Sequence, residues 1–418
     1  MGIVAAIDVG TTKICALIGE LTERGSLRIL GTGIAPSAGL RKGVIVDVKL
    51  ATQAIREAVD QAERYAGMQI SGAYIGIAGA HIASTNSRGI SGVGHHGRGV
   101  SQDDIDRAME AAEAIAVPAN REIVHALPRR FTLDGQDGIR EPVGMMGFRL
   151  EVEAHIVTAA TASIQNLVKA VSDAQVNVLS IVLEPLAAGE SVLQSSEKEM
   201  GVALVDIGGG TTGVAVYAEG SVCHSIVLPI GGMHVTNDMA VVLQAPFAAA
   251  EEIKLKFGHV NPNEIRPEEY VDVDAFGDEG ERVVARRDVA EIIHARAEEI
   301  LAMVANEISR SGHEGLLPAG IVLTGGAAQL AGLRQMAREA LHAPVRIGSP
   351  QGLEGLSDRL QGPSFATSVG LVRWGLVRES EMAVEAAKKP TKAHRDGRNG
   401  RAPQWIRAVK GLVDIFTP

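Results

Sequence analysis

Apolar residues along this chain gather into short runs that end on an aspartate and a glycine- and threonine-rich turn, and the arrangement occurs twice. Ile3 to Ile7 leads into Asp8-Val9-Gly10-Thr11-Thr12-Lys13 and then the apolar run Ile14 to Ile18. Val202 to Val205 leads into Asp206-Ile207-Gly208-Gly209-Gly210-Thr211-Thr212 and then Val214 to Tyr217. Each copy predicts a β-hairpin with a tight turn. The pair predicts an internally duplicated fold.

Between the copies, helical periodicity over Asp47 to Ala66 and a strand at Ala73 to Ala78 set an α/β order. From about Ala80 to His155 the texture changes. A Gly- and Ser-rich loop, a helix capped by Ser101 with Asp104 three residues on, and several short strands predict an inserted small α+β domain. A helix at Ser163 to Ala174, a strand at Leu179 to Leu183 and a helix at Pro185 to Gln194 complete the first half. The second continues with a strand at Val222 to Leu228, a helix near Val235 to Leu243 and a long helix from about Asp288 to Ser309. The last carries Val289, Ile292, Ile293, Ile300, Leu301, Val304 and Ile308 mostly on one stripe. Ile321 to Thr324 predicts a buried strand running into Gly325-Gly326, followed by a helix over Gln329 to Leu341 and a last one from about Phe365 to Arg378.

With 418 residues, 46% of them hydrophobic, the chain has material for several compact domains, which excludes a disordered regulator. Its 48 glycines point to tight turns and to backbone brought close to a ligand. A formal charge of −10 and 3% aromatics count against a basic, base-stacking groove, so no nucleic acid partner is expected. Cys15 and Cys223 lie far apart in apolar stretches, which fits a reducing compartment. No signal peptide and no membrane-spanning run are expected.

An aspartate at the end of a buried strand, followed by Gly and Thr, offers backbone N–H donors, hydroxyls and a carboxylate for hydrated magnesium, which is what a nucleoside triphosphate requires. Two copies can grip one polyphosphate from both sides. Together with the third turn at Gly325-Gly326 they resemble the actin-like ATPase superfamily. That resemblance implies ATP and magnesium as ligands, with Asp8, Gly10, Thr11, Thr12 and Lys13 as a first phosphate loop and Asp206, Gly208, Gly209, Gly210, Thr211 and Thr212 as a second. Asp8 and Asp206 would hold magnesium through water, and Gly325, Gly326 and Ala327 would form the adenosine turn. Ala250-Glu251-Glu252-Ile253-Lys254 resembles the superfamily's A-E-x-x-K helix start, which would set Glu251 and Lys254 towards ribose and base. Glu184, just after a strand, stands where hydrolysing members carry a residue that orients the attacking water; a helix-terminus carboxylate without chemistry is the competing reading.

Two other motifs carry no such chemistry. Gly92 to Gly97 matches G-x-G-x-x-G without a buried strand before it or a helix directly after it. Asp272 to Gly277 begins like a calcium loop, but Phe276 replaces a ligand and Val283 stands where a bidentate Glu is required, so a strand with a turn is expected.

The chain's last segment selects among functions. Trp405, Ile406, Val409, Leu412, Val413 and Phe416 fall within an arc of about 120° at helical spacing, with Arg407, Lys410 and Asp414 opposite, the pattern of a helix lying in a bilayer interface. From Glu381 to Pro418 there are eight Lys or Arg against four Asp or Glu, so the basic excess sits where an anionic leaflet attracts it. Over nearly its whole length the chain resembles the FtsA family of bacterial cell-division proteins, on the hairpins, the insert, Val345-Arg346-Ile347-Gly348, Thr367-Ser368-Val369-Gly370-Leu371 and the tail.

The resemblance implies a duplicated actin-like α/β fold, two halves around a nucleotide cleft, with this organisation: 1–80 and 158–196, subdomain 1A; 81–157, inserted subdomain 1C; 197–235 and 317–364, subdomain 2A; 236–316, subdomain 2B; 365–381, a helix returning to the first half; 382–402, a flexible linker; 403–418, a membrane-targeting amphipathic helix. It implies a peripheral protein of the cytoplasmic face of the inner membrane at the septum. There it would self-assemble, anchor the Z ring through the FtsZ C-terminal tail and recruit later division proteins. Arg296 matches a family basic position for the FtsZ tail, with Arg286 and Arg287 as further candidates. Glu184 departs from the family pattern, in which apolar or small residues stand there, so ATP hydrolysis is left open. A sugar- or acetate-type kinase of the same superfamily is the alternative.

Overall fold

The computed structural model describes residues 2–388 apart from 24, 95–98, 116 and 277–279. The tail residues Trp405 to Phe416 lie outside the described residues, as do His95 to Gly97 of the G-x-G-x-x-G stretch.

The first half opens with β1 (Ile3–Val9), β2 (Lys13–Leu21) and β3 (Leu27–Pro36), an antiparallel meander. A ribbon of β4 (Leu40–Arg41) and β5 (Val44–Ile45) leads to α1 (Val48–Ala66). The Asp47 side chain accepts from the Lys49 and Leu50 amides to start α1, and Gly67, at φ 68°, ends it in the left-handed conformation. β6 (Gly72–Ile77) then pairs parallel to β1.

The chain next leaves for the insert: β7 (Ala83–Gly92), α2 (Gln102–Glu113), β8 (Arg121–Leu133), β9 (Gln136–Ile139) and β10 (Arg149–Ala160). The sheet order is β7-β10-β8-β9, and Ser101 and Asp104 form the expected capping box of α2. α3 (Thr161–Asp173) and β11 (Asn177–Leu183) return to the first sheet, and α4 (Glu184–Val192) and α5 (Ser195–Met200) cross to the second half.

There the pattern repeats with β12 (Val202–Ile207), β13 (Thr212–Ala218) and β14 (Ser221–Leu228). A side lobe holds α6 (Gly232–Val242), α7 (Phe247–Phe257), β15 (Tyr270–Asp274), β16 (Glu281–Ala285) and α8 (Arg286–Arg310). β17 (Ile321–Thr324), α9 (Leu333–Ala340) and β18 (Val345–Ile347) complete a sheet ordered β14-β13-β12-β17-β18. β19 (Leu353–Gly355) recrosses to pair with β3, giving the first sheet the order β11-β6-β1-β2-β3-β19, and α10 (Ala366–Lys388) ends the described chain.

Two boundaries differ most from the sequence reading. α9 begins at Leu333 rather than Gln329, because residues 326–329 form a 3-10 turn and Gly332 takes φ 83° before the helix. α10 continues to Lys388, into the stretch read as linker, where an Ala-rich sequence favours helix.

β1 and β12 occupy equivalent places, each between its hairpin partner and a parallel strand. Helices cover both faces, so both strands read as continuous apolar runs. One apolar cluster extends from Ile7, Ile55 and Ile75 through Leu186 and Val192 to Leu204 and Ala215, so α4 carries the core across the hinge. On the other face of the first sheet, α10 lays Val369, Leu371, Val372 and Leu376 over Val4, Ala6, Leu17 and Tyr74.

The insert belongs to the first half by chain but bonds to the second. Ser84 Oγ donates to the Ser225 carbonyl (2.6 Å) and Asn86 Nδ2 to the Cys223 carbonyl (3.1 Å). Buried His155 lies 2.7 Å from Asn86 Oδ1 and 2.9 Å from Ser225 Oγ. Burial, with lesser help from His224, Arg129 and His125, pushes the imidazole pKa down to about 3. Its folded-state pKa therefore lies below the ordinary 6.5, so His155 contributes stability above about pH 6.5 that is lost as pH falls towards 3. Thermal melts between pH 7.5 and 5 are expected to show an acid-side loss, and His155→Asn should reduce it by about 1 kcal/mol per pH unit.

Candidate functional site

The two hairpin turns face each other across the cleft between the halves. Asp8 and Asp206 are each the penultimate residue of their strand, which places both carboxylates at the cleft floor. Ser368 Oγ donates to Asp8 Oδ2 and Thr367 Oγ1 to Asp206 Oδ2, both at 2.7 Å. Burial raises the Asp8 pKa, opposed by the Ser368 hydrogen bond and by Lys13. Burial likewise lifts Asp206 to about 6, against the pull of Thr367.

Glu184, the first residue of α4, lies beside them; a Cβ on Gly76 would stand 3.3 Å from its Cγ. Its pKa is pushed well above the ordinary range by burial and then by the charges of Asp8 and Asp206. Among the described residues no three His, Cys, Asp or Glu side chains are grouped to chelate a bare metal ion. The donor set therefore fits a hydrated hard cation held by Asp8 and Asp206 through water, whose charge would relieve their mutual repulsion.

Glycine is required where the loops meet. A Cβ on Gly209 would stand 2.0 Å from Thr12 Oγ1, and one on Gly210 2.7 Å from Thr11 Oγ1. Gly325, at φ 86°, would drive a Cβ to 2.3 Å from Asp206 Oδ1. The amides of Gly232 and Met233 donate to the carbonyls of Gly208 and Gly209, seating the second loop on the start of α6, while Gly208 and Thr211 close its turn. Thr212 Oγ1 donates to the Ile230 carbonyl. On the first loop, a Cβ at Gly10 would meet the Lys13 carbonyl at 2.9 Å. Lys13 Nζ donates to the Ser364 carbonyl (2.5 Å) and sits 3.5 Å over the Phe365 ring.

The remaining expected nucleotide contacts assemble at the same cleft. Lys254 Nζ is buried and donates to the Gly232 carbonyl (3.1 Å), Thr236 Oγ1 (2.8 Å) and Glu251 Oε2 (2.7 Å). Ala327, on the turn that begins at Gly326, faces Gly232; a Cβ there would lie 3.1 Å from the Ala327 Cβ. The three arginines do not form one cluster. Arg296 is bound by Asp238 (2.6 and 3.0 Å) and Glu299, whereas Arg286 pairs with Glu269 and the Phe257 carbonyl, and Arg287 lies near Asn263 and Glu291. Ten residues of α8 separate Arg286 from Arg296, a rise of about 15 Å.

Thr367, Ser368 and Ser364 were missed as site residues by the sequence reading. Thr367 and Ser368 were visible only as part of a family-like segment, and no local pattern announces a hydroxyl whose carboxylate partner lies 360 residues away, as Asp8 does from Ser368.

Solved structures share this architecture. The PilM-PilN type IV pilus biogenesis complex matches at a TM-score of 0.66 and 15% identity over 89% of this chain and 98% of that one. MreB5 of Spiroplasma citri bound to ADP matches at 0.54 and 13% identity, over 93% and 99%. The duplicated sheets with their paired aspartate turns are thus an actin-like ATPase fold, with an added small domain. A model for "SHS2 domain inserted in FTSA" matches residues 79–158, and one for "Cell division protein FtsA" matches 203–370. Cell division protein FtsA of Pseudomonas aeruginosa is 43% identical over 378 residues, 90% of each chain, and that of Escherichia coli K12 is 36% identical over 97% of each. The chain belongs to the FtsA family of cell-division proteins.

Because the Asp206 pKa in the fold stands above its ordinary 3.8, the ionised form is the costly one, and stability falls as pH rises from about 4 through about 6. Asp206→Asn is therefore expected to stabilise the nucleotide-free protein by about 1–3 kcal/mol at pH 7.5 and by little at pH 4, measured by denaturant unfolding. Gly325→Ala should destabilise by about 2 kcal/mol or more, since the added methyl meets Asp206 and needs φ 86°.

Proposed function

We propose that this protein is an ATP- and magnesium-binding scaffold of cell division that self-assembles and tethers FtsZ to the cytoplasmic membrane. The observation that carries the reading is the pair of aspartates at equivalent ends of β1 and β12, Asp8 buried and Asp206 partly so, facing one cleft between glycine turns. Asp8 and Asp206 hold hydrated magnesium, and Gly10 to Lys13 and Gly208 to Thr212 face the phosphates. Glu251, Lys254 and Gly325 to Ala327 enclose the nucleoside. Glu184, whose pKa burial and then the charges of Asp8 and Asp206 push well above the ordinary range, stands at the cleft where it can orient water.

Membrane attachment rests on the amphipathic stripe from Trp405 to Phe416 and its basic surroundings. Among the described residues no helix is long and apolar enough to cross a membrane. Docking of the FtsZ tail at the start of α8 requires Arg296 to exchange Asp238 or Glu299 for the incoming chain.

Flotation on anionic vesicles tests the scaffold directly. The full chain is expected to float and carry FtsZ, and a version ending at Lys388 to remain in solution; co-flotation of both forms, or of neither, would overturn the tail's role. Glu184→Ala should bind ATP with near wild-type affinity and lose any turnover, measured by phosphate release. Unchanged release removes Glu184 from the mechanism.

A further inference from the structure

The segment Pro363 to Gly370 bonds to both halves of the fold at the cleft floor. Thr324 Oγ1 and the Gly325 amide donate to the Pro363 carbonyl (3.2 and 3.1 Å), Lys13 to the Ser364 carbonyl and Ser191 Oγ to the Ala366 carbonyl (2.6 Å). Thr367 and Ser368, adjacent on the first turn of α10, then bond one aspartate from each half. Gly370 packs so closely on α4 that a Cβ there would stand 1.8 Å from the Ala187 carbonyl oxygen. α4 begins at Glu184, so the helix wedged against it is tied to all three cleft carboxylates.

We propose that Thr367 and Ser368 are positioning residues that aim the Asp206 and Asp8 carboxylates, and that through them the first turn of α10 responds to nucleotide loading. The inference rests on the nucleotide reading of the cleft. Each hydroxyl occupies one carboxylate oxygen, Oδ2, and fixes the direction in which the other faces the cleft. A carboxylate engaging hydrated magnesium must rebalance its bond to the hydroxyl, and two such bonds on successive residues of one rigid turn pass the change to the helix. That helix continues from the cleft to Lys388.

Two readouts on the full-length chain test this: magnesium dependence of binding of a fluorescent ATP analogue, and amide exchange over residues 363–376 with and without Mg–ATP. Thr367→Val and Ser368→Ala should each raise the magnesium concentration for half-saturation about fivefold. Together they should abolish the nucleotide-dependent change in exchange along α10, whereas Thr367→Ser should keep both properties. Unchanged magnesium dependence, or an unchanged exchange response in the double variant, would overturn the proposal while leaving the nucleotide reading intact. Failure of the wild-type chain to bind Mg–ATP would defeat the nucleotide reading and the proposal with it. Should the double variant not fold, the single substitutions carry the same readouts.

Discussion

Three carboxyl groups crowded into one desolvated cleft set the terms for everything around them. Burial raises the cost of ionising Asp8, Glu184 and Asp206, and the charge of Asp8 adds to it for the other two, as that of Asp206 does for Glu184. A fold designed only for stability would replace such a cluster with apolar or neutral groups. Keeping it requires compensation from every side: a hydroxyl on two of the carboxylates, Lys13 near Asp8, and strands rigid enough to prevent the acids from separating. This is local instability retained at one place in the fold.

The geometry of the two turns follows from the same requirement. Acids on two separate sheets can meet only if their loops approach to contact distance, and side chains at Gly209 or Gly210 would hold them apart. Duplication supplies two such turns from one design; α4 joins the copies through a continuous core, and α10 bonds an aspartate of each. The insert adds a second tie at the opposite edge, where His155, Asn86 and Ser225 replace apolar packing with a buried polar seam. Such a seam tolerates little misalignment, because each partner loses its hydrogen bond when the strands shift.

Much of this was legible in the sequence, for physical reasons. β1 and β12 are buried on both faces, so each appears as an uninterrupted apolar run, and the aspartate ending each run is conspicuous there. Helical periodicity from Asp47 and the capping signal at Ser101 located the starts of α1 and α2 closely. What stayed hidden depended on distant partners. The engagement of Arg296 with Asp238 spans 58 residues and that of Ser368 with Asp8 spans 360; neither leaves a periodic trace. The start of α9 was misplaced because Gly332 breaks a pattern whose apolar spacing continues through it.

α10 completes the first half although it is the last element described, and this has a bearing on biogenesis. A ribosome delivers β1, β2 and β6 early, yet the apolar face of Val4, Leu17 and Tyr74 has no cover until Val369 to Leu376 has emerged. The second half, contained between residues 202 and 347, can close its own sheet sooner. The nascent chain thus finishes its later portion first and carries an unsealed earlier portion through most of translation, which makes the first sheet the natural client of chaperones and the point at which truncated products aggregate.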